Sequence, residues 1–331
     1  MAFRGNCKTP FSAKSALFSL GSIFYKVPMA KKICHFAKNR TNEKIIKFCA
    51  RSELCNPLFK IILSLICLVC VERFCYRQTK GFRLPKATTA HIYPFTSPIQ
   101  PAPEYLFQSF YFLDSGVQFY VFIGEDQKTV LKLFKHHHTG PSYELLNLFP
   151  ERLIKPILHK RERRMCSLLK SVALAQARLA DETGILYTHL EKSKGALGNI
   201  TLYSPLGIKH TLNLDQTEFV LQKRVDPTVK RLYKLFSNRK VDEAITCMKS
   251  LLTLVEARSS SGVKNKDKRL LQNTGFFEDK PIDVDLGSFA LLKPHDHPDR
   301  SLKERKRMIL QLIKWVDQNY PEYVQEVKAN L

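Results

Sequence analysis

Three polar side chains near the C-terminal end of the chain have types and spacings that could do chemistry with a metal ion. Asp267 and Asn273 lie in a stretch with loop composition, and Asp285 ends the next strand-like run within Asp-Leu-Gly. Carboxylate and amide oxygens are hard ligands of the kind that Mg²⁺ prefers. The sequence therefore predicts a functional site in the segment Gly262–Phe289.

The order of these residues resembles the catalytic and metal-binding segments of kinase-like folds, of the protein kinase and aminoglycoside phosphotransferase type. The resemblance implies that Asp267 takes up or orients the acceptor proton, while Asn273 and Asp285 ligate Mg²⁺. It also implies that Asp283 assists the metal site. The chain departs from the kinase pattern because Asn273 lies six residues beyond Asp267, rather than five, and Asn265-Lys266 replaces His-Arg.

A segment upstream has the composition of a β-hairpin. Residues 109–134 alternate apolar and polar residues in two runs around Gly-Glu-Asp-Gln-Lys. The segment resembles the glycine-rich strand-turn-strand of the kinase N-lobe. That resemblance implies cofactor-binding roles for Gly116 in the loop, Val121 over the adenine and Lys132 on the phosphates.

Two features of the kinase pattern are missing from the chain. Asp114 and Phe119 stand where the other two loop glycines are expected. The helix after Lys132 has no well-placed glutamate to hold that lysine, because Glu162 lies too early and Glu182 lies at the helix end. An unpartnered lysine is typical of a pseudokinase.

The segments between these motifs follow the order that the resemblance requires. An apolar stripe predicts a helix over 159–183, which Gly184 ends. The other predicted elements are strands at 185–190, 200–203 and 217–224 and helices at 229–236 and 241–257. The last of the three strands resembles the one leading to the kinase hinge, which implies a cofactor contact near Gln222.

These patterns predict an α+β fold of kinase-like, two-lobed form, with an antiparallel N-lobe sheet plus a helix and a small helical C-lobe. The order of features is also similar to uncharacterised, membrane-anchored kinase-like proteins of chlamydia-related bacteria. The predicted parts are a basic extension (1–56), a candidate transmembrane or membrane-associated helix (57–76), a Pro-rich linker (77–104), an N-lobe (105–224) and a C-lobe (225–331).

The charge of the chain favours an anionic membrane surface as a partner. The net charge is +23 over 331 residues, and residues 1–86 hold 17 Lys/Arg against three acids. No zinc-finger spacing, recognition helix or aromatic RNA-binding strand accompanies this charge, so no nucleic-acid partner is expected. The same region holds the most apolar run of the chain, Ile61–Val71.

That apolar run supports two interpretations. Its uncharged core of 11 residues is shorter than the roughly 20 that span a bilayer, but snorkelling of Lys60, Glu72 and Arg73 would extend it. The alternative is a buried or interfacial helix. We expect a single-pass membrane protein, with the globular domain facing the cytosol if it uses ATP; basic residues are evenly divided between the two flanks and do not fix the orientation.

Two local patterns complete the predictions. His136, His137 and His138 have the composition of an exposed turn after the Lys132 strand. Ser301 and Glu304 match a capping box, which predicts that the last long helix begins at Ser301.

Two classes of function remain open on the sequence. The first is a membrane-anchored kinase-like protein, either a phosphotransferase that uses ATP and Mg²⁺ or a pseudokinase that binds nucleotide, with an unknown protein or small-molecule acceptor. The second is a non-catalytic, membrane-tethered scaffold. The missing glutamate and glycines favour the scaffold, whereas the presence of Lys132, Asp267, Asn273 and Asp285 in one chain favours nucleotide binding.

Overall fold

The structure is a computed structural model that describes residues 57–88, 92–95, 101, 103–136, 146, 148–292 and 297–331, without the side chains of 58 and 297–300. The predicted extension 1–56 and parts of the predicted linker lie outside the described residues. The chain divides into two units, Met1–Arg73 and Phe74–Leu331.

Strands and helices follow one another in separate runs along the second unit, which makes this an α+β protein. The helices are α1 Pro57–Thr79, α2 Glu151–Arg178, α3 Ala180–Thr183, α4 Thr228–Ser237, α5 Val241–Ser260, α6 His297–Asn319 and α7 Val324–Asn330. The strands are β1 Ser109–Ser115, β2 Phe119–Gly124, β3 Thr129–Phe134, β4 Ile185–His189, β5 Asn199–Tyr203, β6 Lys209–Asn213, β7 Phe219–Lys223, β8 Asp226–Pro227, β9 Val263–Asn265, β10 Thr274–Phe277, β11 Lys280–Asp283 and β12 Phe289–Leu291.

The main sheet has seven strands in the order β4-β7-β3-β2-β1-β5-β6. The prediction of an antiparallel sheet was wrong at one position, because β5 pairs with β1 in parallel and makes the sheet mixed. The reason is that the β5–β6 hairpin, which lies between β4 and β7 in sequence, joins the free edge of β1. The smaller sheets are β11-β10-β8 and β12-β9.

Both faces of the main sheet are buried, and the alternation of a strand sends neighbouring side chains to different faces. We call the face that packs on α2 the cleft face; its Phe119 and Phe134 belong to one buried cluster with Leu169, Val172 and the loop residue Leu286. The outer face carries another cluster, whose buried residues include Phe82, Leu106, Tyr120, Leu131 and Leu133. Phe82 belongs to the predicted linker, so part of that linker is packed into the fold.

The predicted helix over 159–183 is interrupted at Leu179, where α2 ends and the single turn α3 follows; the helical segment ends, as predicted, at Gly184. That residue caps α3 in the left-handed conformation with φ of +61°, which glycine adopts without steric cost. β4 begins at the next residue, Ile185. The helix itself begins earlier than predicted, at Glu151, directly after Pro150.

Helices α4 to α7 enclose a third core. Phe236 of α4, Met248 of α5, Leu312 of α6 and Val327 of α7 are all buried in it. Helix α6 begins at His297, so the predicted capping box at Ser301 was wrong. The physical reason is tertiary: the Glu304 carboxylate accepts a hydrogen bond from Arg258 in the interior.

Helix α1 presents an apolar surface. Its large apolar side chains are exposed over 39% to 64% of their area, among them Leu65, Leu68 and Phe74. Of the helices in the described part of the chain, none combines the length and the hydropathy needed to cross a membrane.

Candidate functional site

Lys132 joins the main sheet to the Asp-Leu-Gly segment. The side chain leaves the centre of β3 on the cleft face and is 5% exposed. Its Nζ donates a hydrogen bond to the Val284 carbonyl oxygen at 2.6 Å. Tertiary folding therefore brings the predicted phosphate-pairing lysine to the residue that precedes Asp285, across 152 residues of sequence.

The electrostatic environment of Lys132 couples it to Asp285. Burial lowers the pKa of Lys132 to about 8, and the negative charge of Asp285 opposes that decrease. One oxygen of Asp285, Oδ1, accepts a hydrogen bond from the Gly287 backbone at 3.0 Å. This contact fixes the carboxylate at the start of the Asp-Leu-Gly turn and leaves Oδ2 as a further acceptor.

A chain of hydrogen bonds continues from Lys132 to the other two predicted residues. The Val284 N–H donates to the Asn273 carbonyl oxygen at 2.8 Å. The side-chain amide of Asn273 donates to Asp267 Oδ2 at 2.9 Å. These hydrogen bonds connect Lys132, the Asp285 segment, Asn273 and Asp267 into one cluster. The predicted shared site requires that these residues lie close together.

Asp283 belongs to a buried ion cluster. Its Oδ2 accepts from Arg258 at 2.5 Å, and the same guanidinium donates to Glu304 at 2.8 Å. All three side chains are 1% exposed. Burial alone would lower the pKa of Arg258, but the charges of Asp283 and Glu304 raise it, so the guanidinium stays charged. The cluster joins α5, β11 and α6; the predicted metal role of Asp283 stays a prediction.

The remaining predicted residues occupy different surroundings. Val121 pairs with Lys132 across β2 and β3 and packs on the cleft face. Gln222 is 2% exposed, and its amide donates to the carbonyl oxygens of Thr183 and Asp283. Gly116 is exposed in the turn between β1 and β2, where an added Cβ would meet only the Phe119 carbonyl oxygen at 3.9 Å.

Helix α2 binds the Asp-Leu-Gly turn through a hydroxyl group that the sequence did not single out. Ser171 Oγ donates to the Leu286 carbonyl oxygen at 2.6 Å and accepts from the Phe289 N–H at 2.8 Å. It therefore holds both ends of the turn. The helical stripe predicted this buried face of α2, but a serine on it has no sequence signal that distinguishes a clamp from an ordinary small residue.

Gln118 lies close to the same turn, at Gly287. A Cβ on Gly287 would overlap the Gln118 side-chain amide, so the glycine permits this close approach. Gln118 Oε1 is buried and makes no hydrogen bond. The loop between β1 and β2 thus reaches the Asp-Leu-Gly turn through Gln118, whereas Gly116 lies toward the outer face.

A Ser-His-Asp group elsewhere in the molecule has a structural role. Ser193 Oγ donates to Asp215 Oδ1 at 2.5 Å, so its proton points away from His189 Nε2, which is 3.1 Å from Oγ. Asp215 also accepts from the backbone N–H groups of Ala196 and Gly198. The group orders the loop before β5, and the serine is not prepared as a nucleophile.

The Lys132 cluster includes oxygen donors of the chemical type that a phosphate-bound magnesium ion takes. Asn273 Oδ1 and Asp285 Oδ2 are hard oxygen donors, and Mg²⁺ commonly takes one or two protein ligands together with phosphate oxygens and water. Within the described residues, no group of three or more His, Cys, Asp or Glu side chains could hold a metal without such help. A metal at this site would therefore depend on its phosphate ligand.

The sequence matches no model of a known protein family and no curated protein at a significant level.

Proposed function

We propose that residues 74–331 form a kinase-like domain that binds Mg²⁺-ATP, either as a phosphotransferase or as a pseudokinase. The observation that carries the proposal is the bond from Lys132 Nζ to the residue before Asp285. A lysine on a central strand next to an Asp-x-Gly turn is the arrangement that kinases use to hold phosphates and metal.

The order of elements supports a two-lobed interpretation. A hairpin, the lysine strand β3, the long helix α2, and then β4 and β7 follow one another along the chain, with the β5–β6 hairpin added. In space β3 lies between the hairpin strand β2 and β7. Beyond β7 the chain enters helices α4 and α5, which lead to the Asp267 loop.

The proposed chemistry assigns one task to each residue. Lys132 binds nucleotide phosphates, Asn273 and Asp285 hold the metal, and Asp267 orients the acceptor hydroxyl and receives its proton. Bound Mg²⁺ supplies electrostatic stabilisation of the charge that develops on the transferred phosphoryl group. Because Asp267 accepts from Asn273, its carboxylate is positioned relative to the metal ligand.

The scaffold is the second candidate, and a specific contact favours it. Where a kinase helix supplies a glutamate to the lysine, α2 contacts the Asp-Leu-Gly turn through Ser171, and Lys132 donates to a backbone carbonyl. In a scaffold these bonds would be permanent and the cluster would only join the sheet to the C-terminal helices.

The decisive experiment is isothermal titration of the full chain with Mg²⁺-ATP. We expect binding in the wild type, at least a tenfold loss in Lys132→Met and in Asp285→Asn, and loss of the Mg²⁺ dependence in Asp285→Asn. The matched controls are Lys128→Met and Asp317→Asn, whose side chains are exposed. Failure of the wild type to bind would leave the scaffold.

A turnover assay separates the two kinase-like outcomes. Release of ADP that depends on Asp267 would indicate a phosphotransferase, because Asp267 acts only on the acceptor. Binding without turnover would indicate a pseudokinase.

We further propose that α1 attaches the protein to an anionic membrane surface, with the nucleotide-binding domain in the cytosol, where ATP is present. The exposed apolar side chains of α1 support this attachment. Arg73, Arg77 and Lys80, which follow the apolar run, would lie among anionic headgroups.

Flotation of the full chain with phosphatidylserine vesicles tests the attachment. Leu65→Glu combined with Leu68→Glu should abolish co-flotation, while Leu310→Glu, at an exposed position on α6, should not. Equal flotation of all these proteins would exclude α1 as the attachment site.

A further inference from the structure

A second polar pocket lies on the outer face of the main sheet, and the proposed nucleotide site does not use it. Its volume is about 270 Å³, and its lining includes Gly81, Lys86, Ser115, Tyr120 and Lys135. Lys135 lies three residues beyond Lys132, which places the two amines on different faces because strand side chains alternate. The pocket is therefore separate from the Lys132 cluster.

Two lysines place positive charge in this pocket. Burial, followed by the nearby charge of Lys86, lowers the pKa of Lys135 to about 8, and the charge of Asp114 opposes the decrease. Asp114 lies 3.6 Å from Lys80, so its negative charge is shared with a third lysine. Among the described residues that line the pocket, the charged side chains are the two lysines, and an anion bound between them would relieve the repulsion between Lys86 and Lys135.

Backbone contacts hold the two lysines close together. The His136 N–H donates to the Lys86 carbonyl oxygen at 2.9 Å, and His136 directly follows Lys135. The Lys135 amine donates to Ser115 Oγ at 2.7 Å and to the Gly116 carbonyl oxygen at 2.5 Å. An ammonium group has three protons, so these two contacts leave a third donor.

The walls of the pocket are also fixed. Tyr120 is buried, its hydroxyl donates to the Gly81 carbonyl oxygen at 2.8 Å, and its ring lies 4.3 Å from Lys135 Nζ. Gly81 has φ of +70°, and a Cβ there would lie 2.5 Å from the Tyr76 ring. The wall formed by Gly81 and Tyr120 and the position of the Lys135 amine are thus set by hydrogen bonds and packing.

We propose that this pocket binds a phosphate group between Lys86 and Lys135, with the Ser115 hydroxyl as an additional hydrogen-bonding partner. Lysine binds phosphate as a point charge, and a phosphate oxygen can accept from both amines and from a hydroxyl. The phosphate group has two sources, a soluble phosphate or the headgroup of a phospholipid. Tyr76, near the C-terminal end of α1, lines the pocket. Because we propose that α1 attaches to a membrane, a phospholipid headgroup is the second source to test.

The first arm of the experiment measures binding of inorganic phosphate to the full chain by isothermal titration at pH 7. We expect saturable binding in the wild type, and at least a fivefold weaker affinity in Lys135→Gln and in Lys86→Gln. Lys128→Gln, a lysine in an exposed turn, is the matched control and should bind as the wild type does. Circular dichroism melts identify any variant that does not fold, and Ser115→Ala provides a milder change in the same pocket.

The second arm uses vesicles of phosphatidylcholine with and without phosphatidic acid. To separate this pocket from α1, the vesicle comparison is made in the Leu65→Glu, Leu68→Glu background. Phosphatidic acid binding that requires Lys86 and Lys135, without binding of inorganic phosphate, assigns the site to a lipid headgroup. The reverse assigns it to a soluble phosphate. Absence of both, or equal binding by the variants and Lys128→Gln, would overturn the proposal whatever the outcome of the nucleotide experiments.

Discussion

Lys132 and Lys135 lie three residues apart at the same strand. The charged neighbour with the largest effect on each amine is an acid for Lys132 and a cation for Lys135. The pKa of each is lowered to about 8, mainly by burial. Near Lys132 the acid Asp285 opposes the shift, whereas near Lys135 the cation Lys86 adds to the shift more than the acid Asp114 opposes it. The cleft face thus places a negative charge beside its lysine, and the outer face places a second lysine there.

The largest expected effect on stability comes from replacing Arg258, the cation of the buried ion cluster with Asp283 and Glu304. Arg258→Met would remove the guanidinium that the buried Asp283 and Glu304 carboxylates both contact, and breaking such a group costs about 3–5 kcal/mol of unfolding free energy. Urea denaturation at pH 7 measures this loss. The exposed Arg164→Met on α2 is the control and should change stability by less than about 0.5 kcal/mol. A similar, small loss in both variants would show that the ion cluster does not hold the cleft side together.

An intermediate effect is expected in the pH dependence of stability. The folded pKa of Lys132, about 8, lies below its ordinary value of 10.5. Unfolding therefore takes up a proton between these values, so this group makes the folded state gain stability as pH rises from about 8 to 10.5. The gain is on the order of 3 kcal/mol for a fully buried amine, and Lys132→Met should lack it.

Lys135→Met tests whether the second lysine changes the pH dependence of stability in the same way. Its amine is partly exposed, so solvent screening makes the corresponding change smaller. Urea denaturation of the wild type and both variants at pH 7.5, 9 and 10.5 gives the slopes. If the free energy of unfolding of Lys132→Met changes with pH as steeply as that of the wild type, the pKa of Lys132 is not lowered by burial.

The smallest effects distinguish two glycines at the outer pocket. Gly81→Ala combines a positive φ with contact against the Tyr76 ring, and we expect a loss of about 1–2 kcal/mol. The added Cβ of Gly116→Ala would meet only the Phe119 carbonyl oxygen, at 3.9 Å, and this variant should cost less than about 0.5 kcal/mol. Thermal melts compare the two variants. A larger loss at Gly116 would mean that its turn needs a conformation only glycine provides.

Local sequence patterns predicted most elements of the second unit. The runs at 185–190, 229–236 and 241–257 match β4, α4 and α5 closely. Such patterns reflect short-range alternation and helical periodicity, which the burial of one face imposes on every element. β6 was missed because its exposed and polar residues, Lys209–Asn213, give little apolar alternation.

The candidate site was predicted only in part. Lys132, Asn273 and Asp285 were identifiable because their residue types follow a known order, but Ser171 and Gln118 have no such order. His136 shows the same limit, since its prediction as an exposed turn residue was wrong. It is 4% exposed and lies 3.4 Å from Glu218, whose pKa burial raises to about 7.

What the sequence determined by itself was the identity and approximate limits of most helices and strands, together with the residues that we propose to bind phosphate and metal. Only the tertiary structure decided which groups meet. Arg258 joined Asp283 and Glu304, Lys132 reached the segment of Asp285, and Lys135 was directed to the outer face beside Lys86. The physical reason is that periodicity is set by neighbours along the chain, whereas charge pairing in the interior depends on distances between residues far apart in sequence.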